Sequence, residues 1–167
     1  TIPPALFSYM CNMPTHRSKK DVSVVNVKDL QLWIDMGRLP VPEDGGPITM
    51  RDLLRSGVVS RIKGGGLKLL GEERGAPLTQ PLDLEVARAS KGAIAAVEAA
   101  GGSVTCVYHN PLALRAHLKP ELYPLVKPRH AKPPPRLMPY YLDYGNRGYL
   151  APEIQLRKQL QKLGLGE

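Results

Sequence analysis

A chain of 167 residues can bury one hydrophobic core, so its length favours one domain with tails over two full domains. Lys and Arg number 23 against 15 Asp and Glu, and the formal charge of +8 points to a polyanionic partner, of which nucleic acid is the first candidate. The 17 prolines and the single Phe and Trp exclude a large aromatic core. No apolar run approaches the roughly 20 residues of a membrane span, and two cysteines do not make a disulfide framework.

The amino-terminal residues 1–24 are predicted to form an extended arm. Up to residue 20 the sequence shows no hydrophobic period, and it ends in the basic cluster of Arg17, Lys19 and Lys20. The chain begins at Thr1 with neither an initiator methionine nor a signal-like amino terminus, which favours processing or truncation upstream.

Short strands and helices alternate in the next part of the chain. The predicted elements are a strand over 22–27, a helix over 27–37, a helix over 48–57, a glycine loop at 64–66 and strands over 67–70 and 82–86. Asn26 is expected to cap the first helix and Gly37 to end it. Thr49 and Asp52 form a capping-box pattern at the start of the second.

The stretch SKGAIAAVEAAGGSV, residues 90–104, has the pattern of a helix that leads into a strand. Ser90 is placed to cap the helix, and Gly101 supplies the left-handed residue that ends it. Apolar residues recur with the helical period at Ala93, Ile94, Val97 and Ala100. With a strand over 104–108, this part of the sequence predicts a module of strand, helix and strand.

A short helix over 112–118, with Pro111 in its first turn after Asn110, ends the predicted globular part. The chain is therefore divided into an extended arm, a globular domain and a Pro-rich basic extension with a terminal helix, at residues 1–24, 25–118 and 119–167.

The carboxyl-terminal extension combines proline with positive charge. The prolines at 133–135 are expected to force an extended backbone that cannot bury itself. A terminal helix over 151–166 carries an apolar stripe of Leu156, Leu160 and Leu163, which requires a partner.

No arrangement of residues indicates an enzyme. The glycine loop at 64–66 is followed by Lys68 and Leu69, where a phosphate-binding loop requires Ser or Thr. Cys106 and His109 lack a second ligand pair for zinc, and no nucleophile, base and oxyanion site come together. We expect no catalytic residue, no metal and no cofactor. An RNA-modifying enzyme or accessory factor and a protein-only scaffold stay open as alternatives.

Positive charge on flexible arms and loops is typical of RNA binding, because each neutralised phosphate releases counterions and many weak contacts add up. The candidate RNA-binding residues are Arg17, Lys19, Lys20, Arg61, Lys63, Lys68, Arg129, Lys132, Arg136 and Arg147. The stretch from Arg129 to Arg136 is favoured because its backbone is predicted to be extended.

Several motifs together resemble a known family. Ser90, Ala93, Val97, Glu98, Ala100, Gly101 and Gly102 look like the carboxyl-terminal signature of large-subunit ribosomal protein fifteen of bacteria. The Lys68-Leu69-Leu70-Gly71 turn and the helix start at Val25-Asn26-Val27 are also similar to that family. The resemblance covers about residues 25–108.

The carboxyl-terminal part resembles the mitochondrial branch of the same family, through Tyr140-Tyr141-Leu142-Asp143 and Asn146-Arg147-Gly148-Tyr149-Leu150. The resemblance implies an α/β fold, as a small globular domain of irregular strand/helix units with extended basic N-terminal and C-terminal arms. It also implies a structural component of the mitochondrial large ribosomal subunit, in the mitochondrial matrix. Its expected partners are large-subunit ribosomal RNA and neighbouring ribosomal proteins.

Three features depart from the family pattern. Ala89 stands where a larger apolar residue is usual, which is a minor change where a neighbour fills the space. The residues 72–74 lengthen a turn that is often tighter in bacterial members. The family's glycine- and arginine-rich amino-terminal arm has no counterpart in residues 1–20.

Overall fold

The computed structural model describes residues 21–40, 46–71, 78–125 and 128–163. Within them the strands are β1 (Ser23–Asn26), β2 (Ile48–Thr49), β3 (Leu67–Leu70), β4 (Asp83–Val86), β5 (Arg88–Ala89) and β6 (Ser103–Cys106). The α-helices are α1 (Val27–Asp35), α2 (Met50–Arg55), α3 (Lys91–Ala99), α4 (Pro111–Leu118), α5 (Met138–Leu142) and α6 (Pro152–Lys162). Single 3-10 turns cover Pro120–Leu122 and Tyr144–Asn146. This alternation confirms the predicted α/β fold.

The strands form two small parallel sheets. The first sheet has the order β1-β3-β5, and the second has the order β2-β4-β6. In the first sheet Val25 lies opposite Leu69, and Leu69 lies opposite Ala89. Parallel strands need crossover connections, which here include α1, α2 and α3. The short alternating elements of the sequence therefore become interleaved strands of two sheets.

The hydrophobic core follows from alternation along the strands and from one face of each helix. Leu67 and Leu69 are fully buried, whereas Lys68 between them is only partly covered. Leu30 from α1 and Val97 from α3 are also inaccessible to solvent, and both belong to the same cluster as the strand residues. The core is aliphatic, as the composition predicts.

Several predicted helix caps are confirmed. The Ser90 hydroxyl accepts a hydrogen bond from the Ala93 amide at 3.2 Å, and Gly101 has φ +81° where α3 ends. The Asp52 carboxylate accepts from the Thr49 amide at 3.0 Å, as a capping box requires. Asn26 is extended at the start of α1, but its side chain forms no cap hydrogen bond, so that part of the prediction was wrong.

The carboxyl-terminal segment hydrogen-bonds to the edge strand of each sheet. The Tyr141 hydroxyl donates to the Ala87 carbonyl beside β5 at 3.1 Å. The Cys106 amide, on β6, donates to the Arg147 carbonyl at 2.7 Å, and the Tyr149 amide donates back to the Cys106 carbonyl at 3.0 Å. Residues 119–167, which the sequence predicted as an extension, thus include a segment that completes the fold.

Aromatic and aliphatic residues of this segment enter the core itself. Tyr141 is 2% exposed, and its ring packs edge-on against Tyr108 and Tyr149. The Tyr140 hydroxyl lies 3.3 Å from both the amide and the carbonyl of Ala89, so a tyrosine stands beside the small residue that departs from the family pattern.

The proline-rich stretch does not stay extended, so the prediction for residues 133–135 was wrong at its carboxyl-terminal end. The Pro134 carbonyl accepts hydrogen bonds from Leu137 at 2.8 Å and from Met138 at 3.0 Å, which makes a turn into α5. Proline lacks an amide hydrogen but keeps its carbonyl acceptor, and its fixed φ suits a turn or a first helical residue. Pro133 is buried, contrary to the expectation that this backbone cannot bury itself.

The apolar stripe predicted on the terminal helix is present on α6. Leu156 is 58% exposed and Leu163 is 71% exposed, so no described residue covers the stripe. Ile154, in the first turn of α6, is buried and ties the start of the helix to the globule.

Replacing Gly148 by Ala should lower the free energy of unfolding, by about 1–3 kcal/mol. A Cβ atom at residue 148 would overlap the carbonyl group of Tyr141, so the segment that reaches β6 would have to shift. Urea unfolding followed by circular dichroism measures the change. Gly64→Ala is the matched control, because nothing lies near a Cβ at residue 64. Equal midpoints for the two variants would contradict the role given to this contact.

Candidate nucleic-acid interface

The structure places the predicted RNA-binding residues in three regions. Arg17, Lys19 and Lys20 lie outside the described residues. Arg61, Lys63 and Lys68 lie on or next to the glycine loop that enters β3, while Arg129, Lys132 and Arg136 lie along the proline-rich stretch. Arg147 lies between the second 3-10 turn and α6.

Ser23, the first residue of β1, shapes the loop that carries Arg61 and Lys63. Its buried hydroxyl donates to the Arg61 carbonyl at 2.9 Å and accepts from the Lys63 amide at 3.0 Å. The Ser23 amide also donates to the Gly66 carbonyl at 3.0 Å. Because their backbones are held from inside, the side chains of Arg61 and Lys63 are directed to the exposed side of the loop.

Lys68 lies beside a second cation that the sequence analysis missed. In the first sheet Val24, Lys68 and Arg88 are opposite one another on three adjacent strands, and all three point away from the core. The Arg88 guanidinium also lies 5.8 Å from the Tyr140 ring centre. Alternation across the buried Ala87 and Ala89 could have identified Arg88 as an outward residue, but not its neighbour across the sheet.

The proline-rich stretch presents its cations outward. Arg129, Lys132 and Arg136 are all exposed, and none forms an ion pair with another described residue. Between them the backbone is anchored at the buried Pro133, and Leu137 follows as a partly buried residue. This arrangement leaves the positive side chains free for a polyanion, although the stretch itself lies on the globule.

The anchor at Leu137 brings this stretch next to the glycine loop. Leu137, Arg88 and the glycines at 64–66 line one small cavity of about 20 Å³. The cationic loop, the outward row of the first sheet and the end of the proline-rich stretch therefore form one continuous side of the molecule. We call this side, made of residues 61–68, Arg88 and residues 129–137, the cationic face.

Arg147 differs from the other candidates because its charge is already paired. Its guanidinium donates to the two Glu98 carboxylate oxygens at 2.5 and 2.9 Å and lies 4.0 Å from the Tyr144 ring centre. The hydrogen bond to Glu98 raises the pKa of Arg147. Its backbone has φ +52°, in the left-handed region. In the structure Arg147 links the carboxyl-terminal segment to α3, and its assignment to RNA stays a prediction.

Three histidines meet beneath the proline-rich stretch. The ring centre of His109 lies 5.2 Å from those of His117 and His130. Burial, and after it the neighbouring His117 and His130, lower the pKa of His109 to about 4. Burial also lowers the pKa of His117. Both imidazoles are therefore neutral at pH 7 and pack as part of the protein interior.

Two searches of the described residues give further information. In the described ranges, no group of three His, Cys, Asp or Glu side chains is arranged to hold a metal ion. Within the same ranges, every helix is too short or too polar to cross a lipid bilayer.

The buried His109 should make the free energy of unfolding depend on pH. In the unfolded chain histidine has a pKa near ~6.5, whereas in the folded protein it stays neutral down to about pH 4. Its contribution is fully present above pH 6.5 and is lost as the pH falls towards 4, by about 3 kcal/mol in total. The His109→Gln variant should lose stability less steeply over this interval, as measured by urea unfolding.

The control is His130→Gln, which removes an exposed imidazole of the same cluster. Because burial is the main cause at His109, this variant should keep most of the pH dependence. A His109→Gln variant with the wild-type pH dependence would contradict the interpretation.

The chain is similar to known ribosomal proteins over the part that forms both sheets. Residues 24–105 match a family of ribosomal proteins described by its members "50S-L15, 50S-L18e" and their counterpart in the 60S subunit. The large ribosomal subunit protein uL15m of Schizosaccharomyces pombe is 40% identical over 130 residues, which are 77% of this chain and 49% of that protein. Its namesake in Danio rerio is 34% identical over 145 residues, which are 81% and 47% of the two chains.

A bacterial relative shows the same similarity over a shorter stretch. The large ribosomal subunit protein uL15 of Methylobacterium sp. is 42% identical over 103 residues, which are 56% of this chain and 59% of that protein. The chain spans about half the length of the curated relatives it matches. Matched motifs and sequence identity agree, and the chain belongs to the L15 family of large-subunit ribosomal proteins.

Proposed function

We propose that this chain is a structural constituent of the mitochondrial large ribosomal subunit, in the mitochondrial matrix. In this role it binds large-subunit ribosomal RNA and neighbouring ribosomal proteins. The length of the similarity supports the mitochondrial assignment. Two mitochondrial relatives align over 130 and 145 residues, whereas two bacterial relatives align over 103 and 91 residues. The longer alignments extend beyond residues 24–105, the region shared with the whole family.

The cationic face is the structural feature that carries the RNA-binding part of the proposal. Its cations come from a loop, a sheet and an anchored proline-rich stretch, and most have no carboxylate partner among the described residues. Lys63 has Asp21 at 3.9 Å, but both side chains are more than half exposed, so this pair is weak. A surface of this kind neutralises phosphates and releases their counterions.

The proposed role is architectural, with no catalytic residue of its own. An RNA-modifying enzyme is the first rival, and specific thermal stabilisation of the protein by a nucleotide or a methyl donor would favour it. A protein-only scaffold is the second. Recovery of its complexes would be insensitive to ribonuclease and to salt, whereas an RNA-dependent assembly loses its partners under both treatments.

Sedimentation of the tagged protein tests the proposal directly. In a gradient of mitochondrial lysate the protein should migrate with the large subunit, together with its ribosomal RNA. Ribonuclease treatment should return it to the light fractions. A protein that stays in the light fractions of untreated lysate, with no large-subunit RNA, would contradict the proposed function.

Neutralising the proline-rich stretch should weaken RNA binding and its salt dependence. The variant carries Arg129→Gln, Lys132→Gln and Arg136→Gln. The slope of log Kobs against log salt should become shallower by up to about 0.7–0.9 for each phosphate contact that is lost. Filter binding of large-subunit RNA fragments over a salt series measures the slope.

The control for this experiment carries the same loss of charge elsewhere on the chain. Lys28→Gln, Lys91→Gln and Lys158→Gln replace exposed residues on α1, α3 and α6. Its slope should stay closer to that of the wild type. Equal slopes for the two triple variants would show that net charge, and not the cationic face, determines the binding.

A further inference from the structure

A recess with an aliphatic floor lies at one end of the cationic face. It has a volume of about 480 Å³ and opens between the segment 60–64, α2 and α4. Its apolar lining consists of Leu54, Ile62, Pro111, Leu114, Leu118 and Leu122. Leu114 is 3% exposed and belongs to the core, whereas Leu122 is 53% exposed at the rim. The recess is of the size of small-molecule sites, which span roughly 300–1,000 Å³.

Three cations surround the recess, and no carboxylate lines it. Arg61, Arg115 and Lys119 are exposed, and none of them forms an ion pair with another described residue. The carboxylate of Glu121 lies nearby in sequence but is directed to Arg55, at 3.8 Å. The recess therefore combines an apolar floor with an uncompensated positive rim.

The rim cations are arranged on two sides. Arg61 comes from the loop that Ser23 holds, and it belongs to the cationic face as well as to the recess. Arg115 and Lys119 stand one turn apart, joined by a hydrogen bond from the Lys119 amide to the Arg115 carbonyl at 2.9 Å. A chain of phosphates that leaves the cationic face at Arg61 would meet these two cations across the recess.

We propose that this recess holds one unstacked nucleotide of single-stranded RNA, with its base on the aliphatic floor and its flanking phosphates on the cations Arg61, Arg115 and Lys119. Protein sites that read single-stranded RNA take up bases splayed out of the stack, while cations follow the backbone. This inference rests on the proposed function and identifies a place on the chain where RNA would be bound.

The lining also indicates what kind of recognition the recess can give. Ser60 is the one lining residue with a neutral polar side chain. The floor offers few hydrogen-bonding groups to the edges of a base, so the recess should accept any base, and phosphate contacts should supply most of the affinity. An acidic amphipathic protein segment would complement the same charge, but continuity with the cationic face favours RNA.

Photochemical crosslinking tests the position of the base. The wild-type protein is bound to a single-stranded oligouridine that contains 4-thiouridine, irradiated and digested, and the crosslinked peptides are identified by mass spectrometry. Crosslinks should fall on the segment 60–64 or on the segment 118–122. Binding of the oligouridine without any crosslink in either segment would overturn the inference and leave the proposed function standing.

Salt dependence tests the phosphate contacts. The Arg115→Gln, Lys119→Gln double variant should bind the oligouridine with a salt slope shallower by about 1.4, since each contact to a single strand contributes about 0.7. The control is Arg157→Gln, Lys158→Gln, which removes two exposed cations that line a different cavity. Both variants should keep the wild-type melting temperature within a few degrees. An equal change of slope in both would overturn the inference.

Two further outcomes separate the inference from its alternatives. A wild-type protein that binds neither the oligouridine nor ribosomal RNA would contradict the proposed function together with the inference. If oligoglutamate binds the wild-type protein in a way that Arg115→Gln, Lys119→Gln abolishes and oligouridine cannot displace, the recess is a protein-docking site and the inference is overturned.

Discussion

The edges of two small parallel sheets impose the main constraint on this fold. A three-stranded sheet has two edge strands, and the unpaired amides and carbonyls of a buried edge each cost about 1–3 kcal/mol. The carboxyl-terminal segment supplies the missing partners at β5 through the hydroxyls of Tyr140 and Tyr141, and at β6 through the backbone of Arg147 and Tyr149. One segment thereby covers an edge of each sheet.

The position of the cations follows from this closure. The segment that reaches both edges must first cross the globule, and it is anchored on the way by the buried Pro133 and by the turn at Pro134. A proline-rich backbone donates few hydrogen bonds, so it can lie on a surface with little need for partners. Its basic side chains then point away from the core, beside the glycine loop and β5.

The charges of the cationic face have an energetic cost in the free protein. Lys68 and Arg88 are neighbours across two parallel strands, and like charges in that position repel each other. Arg147, in contrast, has Glu98 as its partner and stabilises the fold. A polyanion would relieve the first arrangement and would gain little from the second, so the distribution of ion pairs separates cations that face a partner from cations that hold the chain together.

The sequence by itself determined the local structure and the family. Ser90, Gly101 and the capping box at Thr49 are local signals, because caps and left-handed stops depend on residues three or four apart. The excess of positive charge and the motifs at 68–71 and 90–102 likewise needed no coordinates. Only the tertiary structure decided that Lys68 adjoins Arg88, that Arg147 pairs with Glu98 and that three histidines share one site. Most of these contacts join residues about 20–49 positions apart, and strand register and edge closure bring them together without leaving a periodic trace in the chain.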